Sequence, residues 1–129
     1  MFSHVTFGTN DIDRARAFYI PVMETLGINQ PFELPATLVF GDMVGPKLFV
    51  VSPFDGGTAT SGNGTHAAFI TGDRAKVDAF HAAALANGGT CEGPPGPRPH
   101  YHANYYGAYV RDPDGNKLQA VCHRRPDTV

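Results

Sequence analysis

The sequence predicts an α+β domain made of two tandem β-α-β-β-β modules, and three observations lead there. The first is composition. The chain has 129 residues, 42% of them hydrophobic and 17% charged, with 15 Gly and 11 Pro. That balance is globular, and the Gly and Pro content favours many short elements over a bundle of long helices. The length suits one domain with one core. The second observation is a repeat. A shift of 62 positions aligns His4 with His66, Phe7 with Phe69, Thr9 with Thr71, Asp11 with Asp73, Ala17 with Ala79, Phe18 with Phe80 and Gly27 with Gly89. Such self-similarity marks one supersecondary unit used twice. The third is a hairpin signature, Asp112-Pro113-Asp114-Gly115, between two apolar runs near the C-terminus.

Each copy opens with an alternating strand, His4-Val5-Thr6-Phe7 and His66-Ala67-Ala68-Phe69-Ile70. A helix follows, started by Asp11 or Asp73 as N-cap. Apolar residues then recur at helical spacing: Ala15, Phe18, Tyr19, Val22 and Leu26 in the first copy, Val77, Phe80, Ala84 and Leu85 in the second. Gly27 and Gly88-Gly89 close the helices, and Pro21 predicts a kink or a restart. Strands come next at 36–40 and 47–51 in the first copy. In the second, 105–111 and 116–123 flank the turn, which pairs Ala108 with Gln119. Weaker strands lie near 32–34 and 90–92, where prolines crowd the chain. Module 1 thus covers about 1–52 and module 2 about 65–125, joined by a Gly/Ser/Thr-rich linker at 52–65.

A net charge of -2 gives no basic surface for nucleic acid or an anionic membrane, so small molecules are the expected partners. No apolar run approaches the roughly 18 residues of a membrane helix, and Met1–His4 has no leader character. The expected compartment is the cytoplasm, where Cys91 and Cys122 stay thiols.

The paired modules, the His opening each one, and the stretch Tyr109-Val110-Arg111-Asp112-Pro113-Asp114-Gly115-Asn116-Lys117-Leu118 together resemble the vicinal oxygen chelate superfamily. It includes glyoxalase I, extradiol ring-cleaving dioxygenases, and the fosfomycin- and bleomycin-resistance proteins. The resemblance implies curved mixed sheets enclosing a cavity, often a divalent metal, and a homodimer. It also implies metal ligands on the first and last strand of each module. Those positions hold His4 and His66, Gln119 where active members usually carry Glu, and Phe49, whose ring cannot ligate.

Strand alternation supports the same grouping. With Phe7 and Phe69 under the helices, His4 and His66 face the other way, and Gln119 joins them while Leu118 and Ala120 take the helix side. Two His with one carboxylate make a facial triad open to a chelating substrate. Here the third member is an amide, and the missing charge is worth several kcal/mol at ligand distance. Neutral imidazoles suit Fe, Zn, Ni, Co or Mn. The candidate substrate contacts are Phe49, as an apolar wall, and His100, Tyr101, His102 and Tyr106 from the cluster between Arg98 and Tyr106, with Tyr109 expected beneath a helix. His81 and His123 read as packing or rim residues.

Two functions follow as expectations. One is a metal-assisted enzyme of lyase or dioxygenase class, with His4, His66 and Gln119 holding an ion that polarises an oxygen-chelating substrate. The other is a metal-free protein of the bleomycin-resistance kind that sequesters a small molecule, which Phe49 and Gln119 favour.

Overall fold

Asp11 and Asp73 do start the two helices: their carboxylates accept from the backbone N–H of Arg14 and Ala75. In the computed structural model, which describes residues 1–126, the first module runs β1 (His4–Gly8), α1 (Ile12–Thr25), β2 (Glu33–Leu34), β3 (Thr37–Gly41) and β4 (Lys47–Val51). The second runs β5 (His66–Ile70), α2 (Arg74–Ala86), β6 (Thr90–Pro97), β7 (Tyr106–Arg111) and β8 (Lys117–Cys122). Each module forms its own four-stranded mixed sheet, ordered β1-β4-β3-β2 and β5-β8-β7-β6. In both, the first strand is parallel to the last, with His4 beside Lys47 and His66 beside Lys117. That registration makes Phe49 the counterpart of Gln119.

One apolar cluster joins the modules. Phe7, Phe18, Tyr19, Val22, Phe40, Leu48 and Val50 from the first merge with Val77, Phe80, Val110, Leu118 and Ala120 from the second. Polar bonds reinforce the seam where the end of β1 meets the β7–β8 turn. The buried Tyr19 hydroxyl donates to Asp112, Asn116 Nδ2 donates to the Gly8 carbonyl at 2.9 Å, and Arg14 pairs with Asp114 at 2.8 Å.

Four details differ from the sequence expectation. Leu85 is exposed, because the stripe on α2 that meets the core is Val77, Phe80 and Ala84. Pro21 lies inside α1, which continues through it, so the helix does not restart there. β6 extends to Pro97 despite its prolines, which an outer edge tolerates because one side of the strand needs no ladder bonds. The fourth difference is the hairpin register. Asp112 N–H donates to the Asn116 carbonyl and the Asn116 side chain bonds Asp112 and Gly8, so Asn116 belongs to the turn. Pairing then begins at Arg111 with Lys117, and Gln119 lies opposite Tyr109, not Ala108. A one-residue slip exchanges the faces. Tyr109 therefore shares a face with Gln119, while Tyr106 goes to the helix side.

The glycines ending the helices also divide roles that the repeat assigns to one pair. Gly27 and Gly88 follow the helix caps with φ of 71° and 98°. Gly89 instead sits where an added Cβ would lie 2.7 Å from both the Arg111 carbonyl oxygen and Phe18 Cε2.

Candidate functional site

The side of the second sheet turned away from the helices carries a cavity of about 520 Å³. Alternation along three strands builds its floor: His66 from β5, Lys117 and Gln119 from β8, and Tyr109 from β7. Its wall comes from Glu92 and Gly93 of β6 and from the connection to β7, which contributes Arg98, His100, Tyr101 and Tyr105. The aromatic rings are close-set. His100 and Tyr101 centroids are 4.2 Å apart, Tyr101 and Tyr105 4.7 Å, and His66 and Tyr109 6.1 Å with an edge-on ring.

Gln119 is buried, and its Nε2 donates to the Tyr105 hydroxyl. Burial, with the neighbouring Tyr105 and Tyr101 hydroxyls, holds the Tyr109 phenol well above its ordinary range, so it remains a proton donor. Arg98 Cζ stands 5.8 Å and Lys117 Nζ 5.2 Å from the Tyr109 ring centroid. Glu92 is bonded to Arg111.

The other sequence candidates lie elsewhere. His4 stacks on Phe49 with ring centroids 4.6 Å apart and borders a second, apolar cavity of about 390 Å³. That cavity runs between Val5, Phe40 and Leu48 of the first sheet and Ala67 and Phe69 of the second. His102 turns from the cavity to His123. Asn104 N–H donates to His102 Nδ1 at 3.1 Å, which leaves His102 Nε2 to donate to His123 Nδ1 at 2.9 Å. Tyr106, expected as a cavity contact, instead donates to Asp78 of α2 at 2.6 Å under the Arg74 guanidinium, and Asp78 raises its hydroxyl pKa.

The expected convergence of His4, His66 and Gln119 therefore does not occur within one chain: two of them flank one cavity and His4 flanks the other. Sequence reasoning passed over Lys117, which alternation alone puts on the face of Gln119, and it turned Tyr109 inward through the register slip.

The profile of the Glyoxalase/Bleomycin resistance protein/Dioxygenase superfamily matches residues 1–120. The chain belongs to this superfamily. Among solved structures, the chain is 40% identical to a glyoxalase/bleomycin resistance protein from Albidiferax ferrireducens T118, covering 96% of this chain and 99% of that one, with a TM-score of 0.87. A glyoxalase-related enzyme from Fulvimarina pelagi is 25% identical over 94% of this chain and 86% of its own, with a TM-score of 0.71. The V278E mutant of glyoxalase I from Zea mays is also 25% identical, over 93% of this chain and 45% of that one, at a TM-score of 0.70. No curated protein sequence matches.

Superfamily membership makes a divalent metal the group to test against these residues. Among the described residues, no three or more His, Cys, Asp or Glu side chains are placed to share an ion. His66 and Gln119 remain as a pair on one cavity, and the amide nitrogen of Gln119 is already committed to Tyr105. A two-histidine, one-carboxylate centre does not fit the residues that a single chain of this glyoxalase-superfamily protein brings together. Among the described residues no helix is long and apolar enough to cross a membrane.

Proposed function

We propose that this superfamily member binds a small organic molecule in the second-sheet cavity and does so without a metal. The observation that carries this is the state of Gln119. It is an amide at the position where a carboxylate ligand would stand, buried and hydrogen-bonded to a cavity tyrosine. An amide fixed among Tyr101, Tyr105 and Tyr109 is suited to orienting an organic ligand. The one carboxylate among the described lining residues, Glu92, is held by Arg111, which leaves the imidazoles of His66 and His100 as the bases of the cavity. Proton-moving chemistry of the glyoxalase kind lacks a free carboxylate there.

The test is metal content after purification without chelators and supplementation with Fe, Zn, Ni, Co and Mn. The expected content is below roughly a tenth of an equivalent, with chelator leaving thermal stability unchanged. About one equivalent per chain would overturn the metal-free reading.

A second reading, the metal-assisted lyase or dioxygenase, is favoured by one observation. β1 and β5 are outer edge strands, with Val5 and Ile70 exposed along them and Phe2 exposed just before β1. A second copy laid against these edges would cover apolar surface and unpaired backbone. It would also give His66 and Gln119 an outside source of the third ligand, His4. We infer a homodimer on the same ground. Sedimentation at micromolar concentration is expected to give a dimer, and monomer alone would remove both the dimer and this second reading. The exposed thiol of Cys91 suits the cytoplasm as its compartment.

A further inference from the structure

We infer that the second-sheet cavity selects a flat organic anion, its ring against the tyrosine walls and its negative group between Arg98 and Lys117. This rests on the small-molecule reading above and adds the chemical class of the ligand.

The inference begins with the charges. Three ionised side chains line the cavity: Glu92, Arg98 and Lys117. Glu92 forms an ion pair with Arg111, so its charge is balanced in place. Neither Arg98 nor Lys117 lies within ion-pair distance of a carboxylate among the described residues. Arg98 is nevertheless held firmly. Its Nη2 donates to the Pro94 carbonyl at 2.7 Å and its Nη1 to the Gly96 carbonyl at 2.9 Å. Carbonyls orient a guanidinium without cancelling its charge. Lys117 is fixed at its base by pairing with His66 and Arg111, and its ammonium reaches the face of Tyr109. Both positive groups thus stand against the Tyr109 ring, and neither has a carboxylate partner among the described residues.

The walls supply the second half. Tyr101, Tyr105, Tyr109, His66 and His100 present ring faces and edges, and the tyrosine hydroxyls with the Gln119 amide give the floor polar points. A cavity of about 520 Å³ suits a molecule of one or two rings. A neutral ring would cover the two cations without neutralising them, and a cation would be repelled. An aliphatic anion would cover the ring faces but without the aromatic stacking that a flat ring gains. A planar carboxylate, enolate or phenolate matches both halves.

The test is calorimetric titration of the full-length protein with 2-naphthoate, its neutral analogue 2-naphthamide, and the non-planar anion cyclohexanecarboxylate. Naphthoate is expected to bind at least about tenfold more tightly than either comparison molecule, with affinity falling as salt rises. K117Q should reduce naphthoate affinity by about tenfold or more and leave naphthamide unchanged, and K117R should restore it. Among the described residues the lysine side chain makes no hydrogen bond, whereas Arg98 holds the Pro94 and Gly96 carbonyls, which makes the lysine a cleaner probe. Equal binding of naphthoate and naphthamide overturns the charge inference and leaves the small-molecule cavity standing. Equal binding of cyclohexanecarboxylate overturns the planar part. Failure of all three to bind at millimolar concentration overturns both this inference and the reading it rests on.

Discussion

Tyr19→Phe tests the seam between the modules, because it deletes one oxygen at the point where helix α1 meets the β7–β8 turn. Asp112 is buried and receives four hydrogen bonds. Oδ1 accepts from the backbone N–H groups of Asp114 and Asn116, each at 2.9 Å, and Oδ2 accepts from Asn116 Nδ2 at 2.9 Å and from the Tyr19 hydroxyl. Burial is the main influence on its acidity and raises its pKa above the ordinary 3.8, while these donors pull it down. Removing the hydroxyl takes away one hydrogen bond to a charged group, a loss of about 1.5–3 kcal/mol at neutral pH. For a chain of this size that is roughly 3–5 °C of melting temperature per kcal/mol.

The sign of the pH dependence follows from the raised pKa. The folded state holds the Asp112 proton more tightly than the unfolded state does. Its contribution is therefore fully present below pH 3.8 and is lost as pH rises through the folded value. Without Tyr19 the folded pKa rises further and more is lost. The penalty of Tyr19→Phe should thus be near 1 kcal/mol in acid, where a neutral carboxyl is the partner, and grow to the full value by pH 7. Urea unfolding of both proteins at several pH values measures it. A penalty independent of pH, or below about 0.5 kcal/mol at pH 7, would refute the placement of a buried, ionised Asp112 under Tyr19.

Other expectations concern single contacts. Gly89→Ala should destabilise by about 1–3 kcal/mol in thermal melts, since its Cβ would lie 2.7 Å from two fixed atoms, whereas Gly27→Ala meets no atom within 4 Å and should cost only the strain of its positive φ. Asp114→Ala removes the partner of Arg14 and of the Asn10 N–H, and should lower stability by about 1–2 kcal/mol in urea, with the loss shrinking in high salt. Native protein should take up one equivalent of iodoacetamide at the exposed Cys91 and a second, at the buried Cys122, only after denaturation, as intact-mass measurement would show.

The repeat, both N-caps and the inward stripes of the helices, Leu85 apart, were legible because they depend on residues within a turn or two of each other. The register of the last hairpin was not. Asp112-Pro113-Asp114-Gly115 reads as a four-residue turn, and Asn116 is drawn into it by bonds to Asp112 together with one to the Gly8 carbonyl, which is remote in sequence. Those contacts together set whether Tyr106 or Tyr109 faces the cavity. The prolines of β6 misled for a related reason, since their tolerance depends on the strand being an outer edge, a property of the assembled sheet. His4 and His66 were correctly assigned to the faces away from the helices. Whether two such faces meet is set by how whole modules pack, which strand periodicity does not encode.

The internal repeat gives this chain two corresponding sheet faces, and the structure shows how they differ. In the first module the position matching Gln119 is Phe49, which stacks on His4 and occupies the polar face with a ring. Its outer strand, β2, is two residues long and builds no wall. In the second, β6 is eight residues long, and the segment that follows it carries His100, Tyr101 and Tyr105 over the sheet. A cavity needs walls as well as a floor. The asymmetry of the two outer strands, more than the histidines common to both modules, therefore explains why the proposed organic-ligand site falls in the second copy. Grafting Gln at position 49 should consequently create no ligand site on the first sheet, and naphthoate titration of Phe49→Gln should still reveal one site per chain. A second site of comparable affinity would show that the floor alone suffices.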